Sequence, residues 1–178
     1  MINLISTPFS GLKIIKNPKL KDTRGYFREI FLEKLLKKKF PFMYVSKSKK
    51  NVLRGLHFQN LKQQAKIITV LNGEIYDVAL DLRRNSKTFG KVFSIKIKQN
   101  SDFSLFIPEG FAHGFMATKN NTIMLYQCSN YRHKSSELGI NWDDKELKIR
   151  WPKSKNKILS NKDKKNISFD TYKTNYLK

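Results

Sequence analysis

Apolar and polar residues alternate with a period of two along much of the chain, and this alternation is typical of β-strands. EIYDVALDL at 74–82 is the clearest case, and VFSIKIK at 92–98 and TIMLYQC at 122–128 are similar. Successive side chains of a strand point to opposite faces, so Asp77 and Asp81 are predicted to lie opposite the larger apolar side chains of 74–82. The turn signals NG at 72–73 and PEG at 108–110 separate such segments. Together these features predict an antiparallel sandwich or barrel.

Two segments depart from this pattern. FLEKLLKKKF at 31–40 places Leu32, Leu35 and Leu36 on one face at helical spacing, and Pro41 follows it. We therefore predict one helix over 31–40 that ends before the proline. The Lys- and Asn-rich end after Pro152 is the one candidate for loose structure.

Length and cysteine content limit the class of protein. A chain of 178 residues corresponds to about one domain, and it is long enough to bury a sizeable core. The single cysteine, Cys128, excludes an intramolecular disulfide. The first residues, MINLISTPFS, contain neither a basic leader nor a long apolar run. We therefore expect a soluble cytoplasmic protein that does not interact with a membrane.

The net charge of +22 would ordinarily suggest a nucleic-acid partner. However, only seven of the 36 basic residues are arginine, and arginine is the better ligand for phosphates and bases. Many lysines fall in runs such as KLLKKKF and NKDKKN, without a zinc-finger, RNP-type or helix-turn-helix pattern. We interpret the charge as a solvated surface and expect no nucleic-acid partner, although a positive field could attract a small molecule that carries phosphate.

Histidine is the residue type in this chain that suggests catalysis or metal binding. His57 lies in the strand-like segment NVLRGLHFQ, where a histidine is more often a core residue satisfied by a neighbour. PEGFAHGF at 108–115 contains PxGxxH, which resembles the second motif of the cupin barrels and ends in His113. The first cupin motif should supply HxH, but this chain has His57, Phe58 and Gln59. Two histidines without a third ligand make a poor metal site, so we predict no metal.

Several ordered motifs together resemble the dTDP-4-dehydrorhamnose 3,5-epimerase family. They are DTRGYFREIF at 22–31, RGLHFQ at 54–59, QAK at 64–66, NGEIYDVALDLRRNSKTFG at 72–90, IPEGFAHGF at 107–115, NWDDKELKIRWP at 141–152 and ILSNKD at 158–163. The resemblance implies an all-β fold, a cupin-like jelly-roll barrel with a short helix near the N-terminus and a short C-terminal extension. It also implies a homodimer without metal or other cofactor that epimerises nucleotide-linked 4-keto-sugars, in the synthesis of surface polysaccharides.

The resemblance also implies roles for four catalytic residues. His57 corresponds to the base, and an imidazole has a pKa near the working pH of such an enzyme. Asp163 would hold the imidazole in the right tautomer. Lys66 would stabilise the enolate oxygen, and Tyr126 would return a proton from the opposite face.

Further residues correspond to substrate contacts. Arg24, Phe27 and Glu29 lie in the segment that family members insert into the neighbouring subunit. The remaining predicted contacts to the diphosphate or the sugar are Arg54, His113, Glu137 and Lys162. In an ideal strand Arg54 and His57 would point to opposite faces, so we expect a bulge at Gly55.

The interpretation divides the single domain, 1–178, into three parts. Residues 1–50 would contribute strands and the helix to the dimer, 51–152 would form the barrel, and 153–178 would form a C-terminal segment. Family members specific for dTDP have a polar QxN-type segment where this chain has Phe42, Met43 and Tyr44. The nucleotide therefore stays open between a dTDP-linked hexose and a GDP-linked heptose, as does inversion at carbon 3, carbon 5 or both. A metal-dependent cupin enzyme, and a non-enzymatic domain that binds carbohydrate or nucleic acid, also stay open as functions.

Overall fold

The computed structural model describes residues 1–177, and β-strands are the main regular structure in this part of the chain. The strands are β1 (Asn3–Ser6), β2 (Lys13–Lys16), β3 (Leu20–Asp22), β4 (Gly25–Phe27), β5 (Phe42–Ser48), β6 (Leu53–Gln59), β7 (Lys66–Asn72), β8 (Glu74–Asp81), β9 (Val92–Lys98), β10 (Phe103–Ile107), β11 (Phe111–Ala117), β12 (Thr122–Cys128) and β13 (Glu137–Gly139). Two α-helices, α1 (Glu33–Leu36) and α2 (Phe169–Tyr176), accompany them. Short 3₁₀ turns cover Lys134–Ser136 and Asp163–Lys165. The predicted all-β class is confirmed.

Two antiparallel sheets form the body of the protein. The six-stranded sheet has the order β1-β2-β10-β7-β12-β5, and the five-stranded sheet has the order β13-β6-β11-β8-β9. β3 and β4 form a separate two-stranded hairpin. Strands β1, β2 and β5 come from the first 50 residues, so the N-terminal part supplies half of the six-stranded sheet.

The chain crosses repeatedly from one sheet to the other, and both predicted turns lie at crossings. The turn at 72–73 joins β7 to β8, and the turn at 108–110 joins β10 to β11. Gly73 has a φ of +80°, which a residue with a Cβ adopts only with strain. The turn signals therefore mark the corners of a two-sheet barrel rather than hairpins within one sheet.

An apolar core fills the space between the sheets. Ile68, Met124 and Leu105 contribute from the six-stranded sheet, and Ile75 and Phe115 contribute from the five-stranded sheet. Burying these side chains supplies the main favourable contribution to folding, at about 25 cal/mol per Å² of apolar surface.

The alternation in 74–82 holds, but both faces of β8 are buried. Ala79 packs in the core between the sheets, whereas Val78 and Leu80 pack in a second cluster on the outer face. Asp77 and Asp81 are fully buried. Burial on both faces makes ionisable side chains costly there unless they find partners.

Residues 153–177 are ordered, so the expectation of loose structure was wrong for this part of the segment. It begins to pair with the barrel through a parallel bridge between Val52 and Ile158. Helix α2 then places Phe169 and Tyr172 in the apolar cluster outside the five-stranded sheet. Ser168 caps this helix by accepting a hydrogen bond from the backbone of Thr171. The segment escaped detection because its few buried residues are separated by lysines and asparagines.

The predicted helix over 31–40 was also wrong in length, since α1 covers only Glu33–Leu36. The first turn has no side-chain cap, and Lys37 ends the helix with a φ of +48°. A single uncapped turn is weak on its own. Phe40 leaves the helical path and packs against Phe31 and Phe106, at ring-centroid distances of 5.0 and 6.4 Å. Among residues 1–177, no helix has the length and apolar character needed to cross a membrane.

Candidate active site

A cavity of about 430 Å³ opens between the two sheets. Its walls come from β5, β7 and β12 on one side and from β6, β11 and β13 on the other. The lining residues are Phe42, Tyr44, Ser46, Arg54, His57, Phe58, Gln59, Gln64, Lys66, His113, Phe115, Tyr126, Arg132 and Glu137. This combination of aromatic walls and convergent polar groups is typical of a site for a small organic ligand.

His57 projects from β6 into the cavity and is held by Asp163. Its Nε2 lies 2.5 Å from Oδ1 of the aspartate, which is almost completely buried. The Ser160 hydroxyl donates to the other carboxylate oxygen at 2.9 Å. Burial raises the pKa of Asp163, but the hydrogen bond and charge of His57, together with the hydrogen bond from Ser160, outweigh it and leave that pKa below its ordinary value. The ionised carboxylate orients the imidazole and leaves its other nitrogen to accept a proton.

The bulge expected at Gly55 is present. In the pairing of β6 with β11, His57 lies opposite His113 and Arg54 lies opposite Phe115, so β6 has one more residue than its partner between these pairs. Gly55 has a φ of +126°, and a Cβ there would collide with the backbone of Gly114. Because of this extra residue, Arg54 and His57 line the same cavity although they are three positions apart.

Tyr126 lies on β12, in the sheet opposite His57, and is almost fully buried. Its ring stacks on that of Tyr44, and its hydroxyl donates a long hydrogen bond of 3.7 Å to Sδ of Met124. Burial raises the pKa of this phenol above its ordinary value. The Tyr126 phenol is therefore neutral at physiological pH.

Lys66, at the start of β7, contributes a primary amine to the wall of the cavity. Its position in the ladder is directly opposite Cys128. Burial lowers the pKa of Lys66, and the charges of Glu137 and Asp77 act in the opposite direction. Burial also raises the pKa of the Cys128 thiol to about 11, which keeps that cysteine neutral beside the lysine.

A second histidine–aspartate pair lies deeper in the barrel. Nε2 of His113 is 2.8 Å from Oδ2 of Asp77, and both side chains are buried. Oδ1 of Asp77 has no hydrogen-bond partner among the described residues. The ring of His113 meets that of Tyr126 edge to face, with centroids 6.3 Å apart. His113 therefore presents a polar group between the two walls of the cavity.

Glu137 closes one side of the cavity within an ion network. Arg132 and Lys162 each approach its carboxylate to 2.6 Å. Burial raises the pKa of Glu137, but these two cations outweigh the effect and lower it to about 2. The network is cationic overall, with two positive charges for one negative charge.

Three of the predicted contact residues neither line this cavity nor pair with a residue that lines it. Arg24 lies at the turn of the β3–β4 hairpin, where its exposed side chain pairs with Asp22 at 2.6 Å. Phe27 ends β4 with a side chain that is largely exposed, and Glu29 follows it. The other predicted site residues either line the cavity or, for Asp163 and Lys162, contact residues that do.

Several lining residues were not predicted. Phe42, Tyr44 and Ser46 occupy alternate positions of β5 and share the face that is turned toward the cavity. Their period-two spacing was the signal that could have identified them. Arg132 and Gln64 lie outside the strands and gave no such signal.

The two cavity histidines are each paired with an aspartate. Within residues 1–177, no group of three or more histidine, cysteine, aspartate or glutamate side chains is arranged to hold a metal ion.

Comparisons with known proteins agree on one family. A sequence model of dTDP-4-dehydrorhamnose 3,5-epimerase matches residues 6–171. The enzyme of that name from Methanothermobacter thermautotrophicus is 43% identical over 150 residues, which cover 82% of this chain and 81% of the relative. The one from Escherichia coli K12 is 36% identical and covers 95% of both chains. The solved structure of the Legionella pneumophila epimerase with dTDP-4-keto-L-rhamnose is 38% identical, with a TM-score of 0.91 over 96% of this chain and 94% of that one.

Proposed function

The chain belongs to the dTDP-4-dehydrorhamnose 3,5-epimerase family, and we propose that it inverts carbon 3, carbon 5 or both in a nucleotide-linked 4-keto-6-deoxy-sugar. One observation carries this proposal above all others. His57, held by Asp163, and Tyr126 project into one cavity from opposite sheets. Inversion of a carbon requires a base on one face of the sugar and an acid on the other.

The chemistry follows from the ketone at carbon 4, which acidifies the C–H bonds on either side. His57 takes a proton from carbon 3 or carbon 5 and becomes an imidazolium ion that Asp163 stabilises. The electron pair of the C–H bond moves to the ketone oxygen, and Lys66 stabilises the resulting enolate, an effect often worth about 3 kcal/mol. Tyr126 then gives its proton to the same carbon from the opposite face. The product has the inverted configuration, and no redox partner is needed.

The two walls of the cavity suit these roles. Burial keeps the Tyr126 phenol protonated before the reaction, as an acid must be, because it raises the pKa of that group. His57 is partly exposed and has its orientation set by a buried carboxylate. Arg54 and the cationic network around Glu137 add positive charge near the cavity, which suits the diphosphate of a nucleotide sugar.

For the nucleotide we propose dTDP first, since the relatives compared above bear names that specify dTDP sugars. The GDP-linked alternative stays open because of one observation. Phe42 and Tyr44 line the cavity at the positions where family members specific for dTDP have a polar segment, and they form an aromatic surface with ring centroids 5.4 Å apart. Such a surface stacks on a base without selecting it through amide hydrogen bonds.

We also propose a homodimer in which the β3–β4 hairpin completes the partner's site. The hairpin exposes Leu20, Tyr26 and Phe27, which are about 60% accessible. On the edge strand β5, Met43 and Val45 are similarly exposed. Exposed apolar groups of this kind are typical of protein interfaces. In such a dimer Arg24, Phe27 and Glu29 would reach substrate across the interface.

The decisive experiment is proton exchange in deuterium oxide, followed by NMR on dTDP-, GDP- and CDP-linked 4-keto-6-deoxy-sugars. We expect deuterium at carbon 3, carbon 5 or both, together with the epimer, from the dTDP substrate. Efficient turnover of the GDP sugar alone would overturn the nucleotide assignment. Absence of exchange into all three would overturn the enzymatic proposal, and chelator-sensitive activity with stoichiometric bound metal would favour a metal-dependent cupin instead.

A further inference from the structure

Ser46 lies beside the proposed acid without a partner of its own among the described residues. In the pairing of β5 with β12, Ser46 is opposite Met124 and Tyr44 is opposite Tyr126. Residues two apart on a strand share a face, so all four side chains belong to the same face of the six-stranded sheet. Ser46, Tyr44 and Tyr126 line the cavity.

The hydroxyl oxygen of Ser46 is buried and has no hydrogen-bond partner within residues 1–177. Buried hydroxyl groups are nearly always paired, so an unpaired one in a cavity wall points to a partner that forms during function. The Tyr126 hydroxyl is also poorly satisfied, because its acceptor is the sulfur of Met124. Two hydroxyl groups on adjacent strands thus have spare hydrogen-bonding capacity.

The proposed reaction requires a hydrogen-bond donor beside Tyr126. When Tyr126 gives its proton to carbon, a phenolate is left in a buried site. Burial raises the pKa of Tyr126, and the Ser46 hydroxyl lies close enough to lower it although the two groups are outside hydrogen-bond geometry. Asp77 and Cys128 raise this pKa further, and Arg54 lowers it. Among these groups, Ser46 carries a neutral hydroxyl on the strand next to Tyr126, from which it can donate a hydrogen bond to the phenolate oxygen.

We propose that Ser46 is a positioning residue that aims the Tyr126 hydroxyl at the sugar and stabilises the phenolate after proton transfer. The inference rests on the proposed function, in which Tyr126 is the acid. Ser46 keeps its own proton throughout and only donates a hydrogen bond. Tyr126 recovers its proton from water after the product has left. The substrate contacts Tyr126, and Ser46 acts through it.

Ser46→Ala tests this assignment, with Ser46→Thr as the variant that retains the hydroxyl. In deuterium oxide, Ser46→Ala should exchange substrate protons at the wild-type rate, because His57 is untouched. Net formation of epimer should fall about tenfold to a hundredfold, as expected when a hydrogen bond to a charged group is lost. Ser46→Thr should recover most of this loss. Ser94→Ala, on the outer strand β9 where its hydroxyl bonds Tyr76, is the matched control.

A double-mutant cycle with Tyr126→Phe distinguishes an effect of Ser46 through Tyr126 from an effect that is independent of Tyr126. If Ser46 acts through Tyr126, adding Ser46→Ala to Tyr126→Phe should cause no further loss of epimer formation. An equal loss in both backgrounds, an equal fall in exchange and inversion, or an unchanged rate in Ser46→Ala would each overturn the assignment of Ser46. Wild-type epimerisation by Tyr126→Phe would instead overturn the proposed acid, and the role of Ser46 with it.

Discussion

Tyr44 lies flat against Tyr126, with ring centroids 4.4 Å apart and ring planes inclined by 12°. Offset stacking of this kind contributes about 0.5–1.5 kcal/mol beyond the burial of area. His113 packs against the same Tyr126 ring edge to face. The position of the Tyr126 ring is therefore set by its packing, and the hydroxyl is not needed to hold the ring in place.

Tyr126→Phe is expected to fold normally, because the ring and its stacking are retained. His57 can still take a proton and Lys66 can still hold the enolate, so deuterium should enter carbon 3, carbon 5 or both. Net formation of epimer should fall by at least about a hundredfold, the lower end of a positioned general acid's contribution. NMR in deuterium oxide measures both quantities. Tyr76→Phe, which loses only a hydroxyl bonded to Ser94 outside the cavity, should behave as wild type.

If Tyr126→Phe epimerises as fast as wild type, Tyr126 is a packing residue. Tyr131 would then be the next candidate for the acid, since its ring lies 6.1 Å from that of Phe42 at the edge of the cavity.

His57→Asn is expected to lose deuterium incorporation at both carbons by about a hundredfold to ten-thousandfold, because the proposed base is gone. His133→Asn is the matched control, since His133 contacts Ser136 and does not line the cavity. Circular dichroism would verify that both variants fold. Exchange at the wild-type rate in His57→Asn would remove His57 from the mechanism.

Asp163→Asn should cost less than His57→Asn. The amide can still contact the imidazole, but it no longer stabilises the imidazolium ion or selects its tautomer. We expect a partial loss of exchange at both carbons, measured in the same NMR assay. A loss as large as that of His57→Asn would indicate that the orienting carboxylate matters as much as the base.

Subunit mixing tests the proposed homodimer, in which each subunit completes the site of its partner. An Arg24→Ala chain and a His57→Asn chain should each have low activity, because the proposed site needs His57 from one subunit and Arg24 from the other. Their heterodimer should regain about one intact site of two. Mixing Arg24→Ala with a chain that carries both substitutions provides the control and should give no recovery. If the first mixture regains no activity after subunit exchange has been verified, the two subunits do not share a site in the proposed way.

Glu137→Gln should change how stability depends on pH. The pKa of Glu137 is lowered to about 2 in the folded chain, so its ionised form is favoured by folding. The resulting stabilisation is complete above the ordinary pKa of 4.5 and is lost as the pH falls toward 2. The difference in free energy of unfolding between wild type and Glu137→Gln should therefore shrink over this range. Urea denaturation at several pH values measures it, and a difference that does not vary with pH would contradict the cause given for the shift.

Much of the cavity could be predicted because its residues stand in ordered motifs on strands. His57, Lys66, His113 and Tyr126 were all selected from the sequence, and they line one cavity. The bulge at Gly55 was also expected, since Arg54 and His57 could share a wall only if the strand gained an extra residue. The four residues were selected through the family resemblance of the motifs that contain them, whereas the bulge follows from local spacing, which a single sequence displays directly.

Features that depend on distant contacts were harder to predict. The helix over 31–40 was overestimated because its leucines have helical spacing, whereas Phe40 is drawn away by Phe31 and Phe106. The order of the C-terminal segment was missed because lysines surround Phe169 and Tyr172 in the sequence. These two side chains are buried only through their contact with the outer face of the five-stranded sheet. Local composition records neither kind of contact.

The hydrogen bond between His57 and Asp163 joins residues 106 positions apart, and this separation orders events during synthesis. A growing chain acquires His57, Lys66 and Tyr126 well before it acquires Asp163, since synthesis proceeds from the N-terminus. Until residue 163 has been added, the imidazole lacks the carboxylate that orients it. A truncated chain that ends after β13 would thus lack the carboxylate that orients the base, together with the helix that packs on the outer face of the five-stranded sheet. Proton abstraction by an oriented imidazole therefore has to wait until the C-terminal segment has been synthesised and has packed against the barrel.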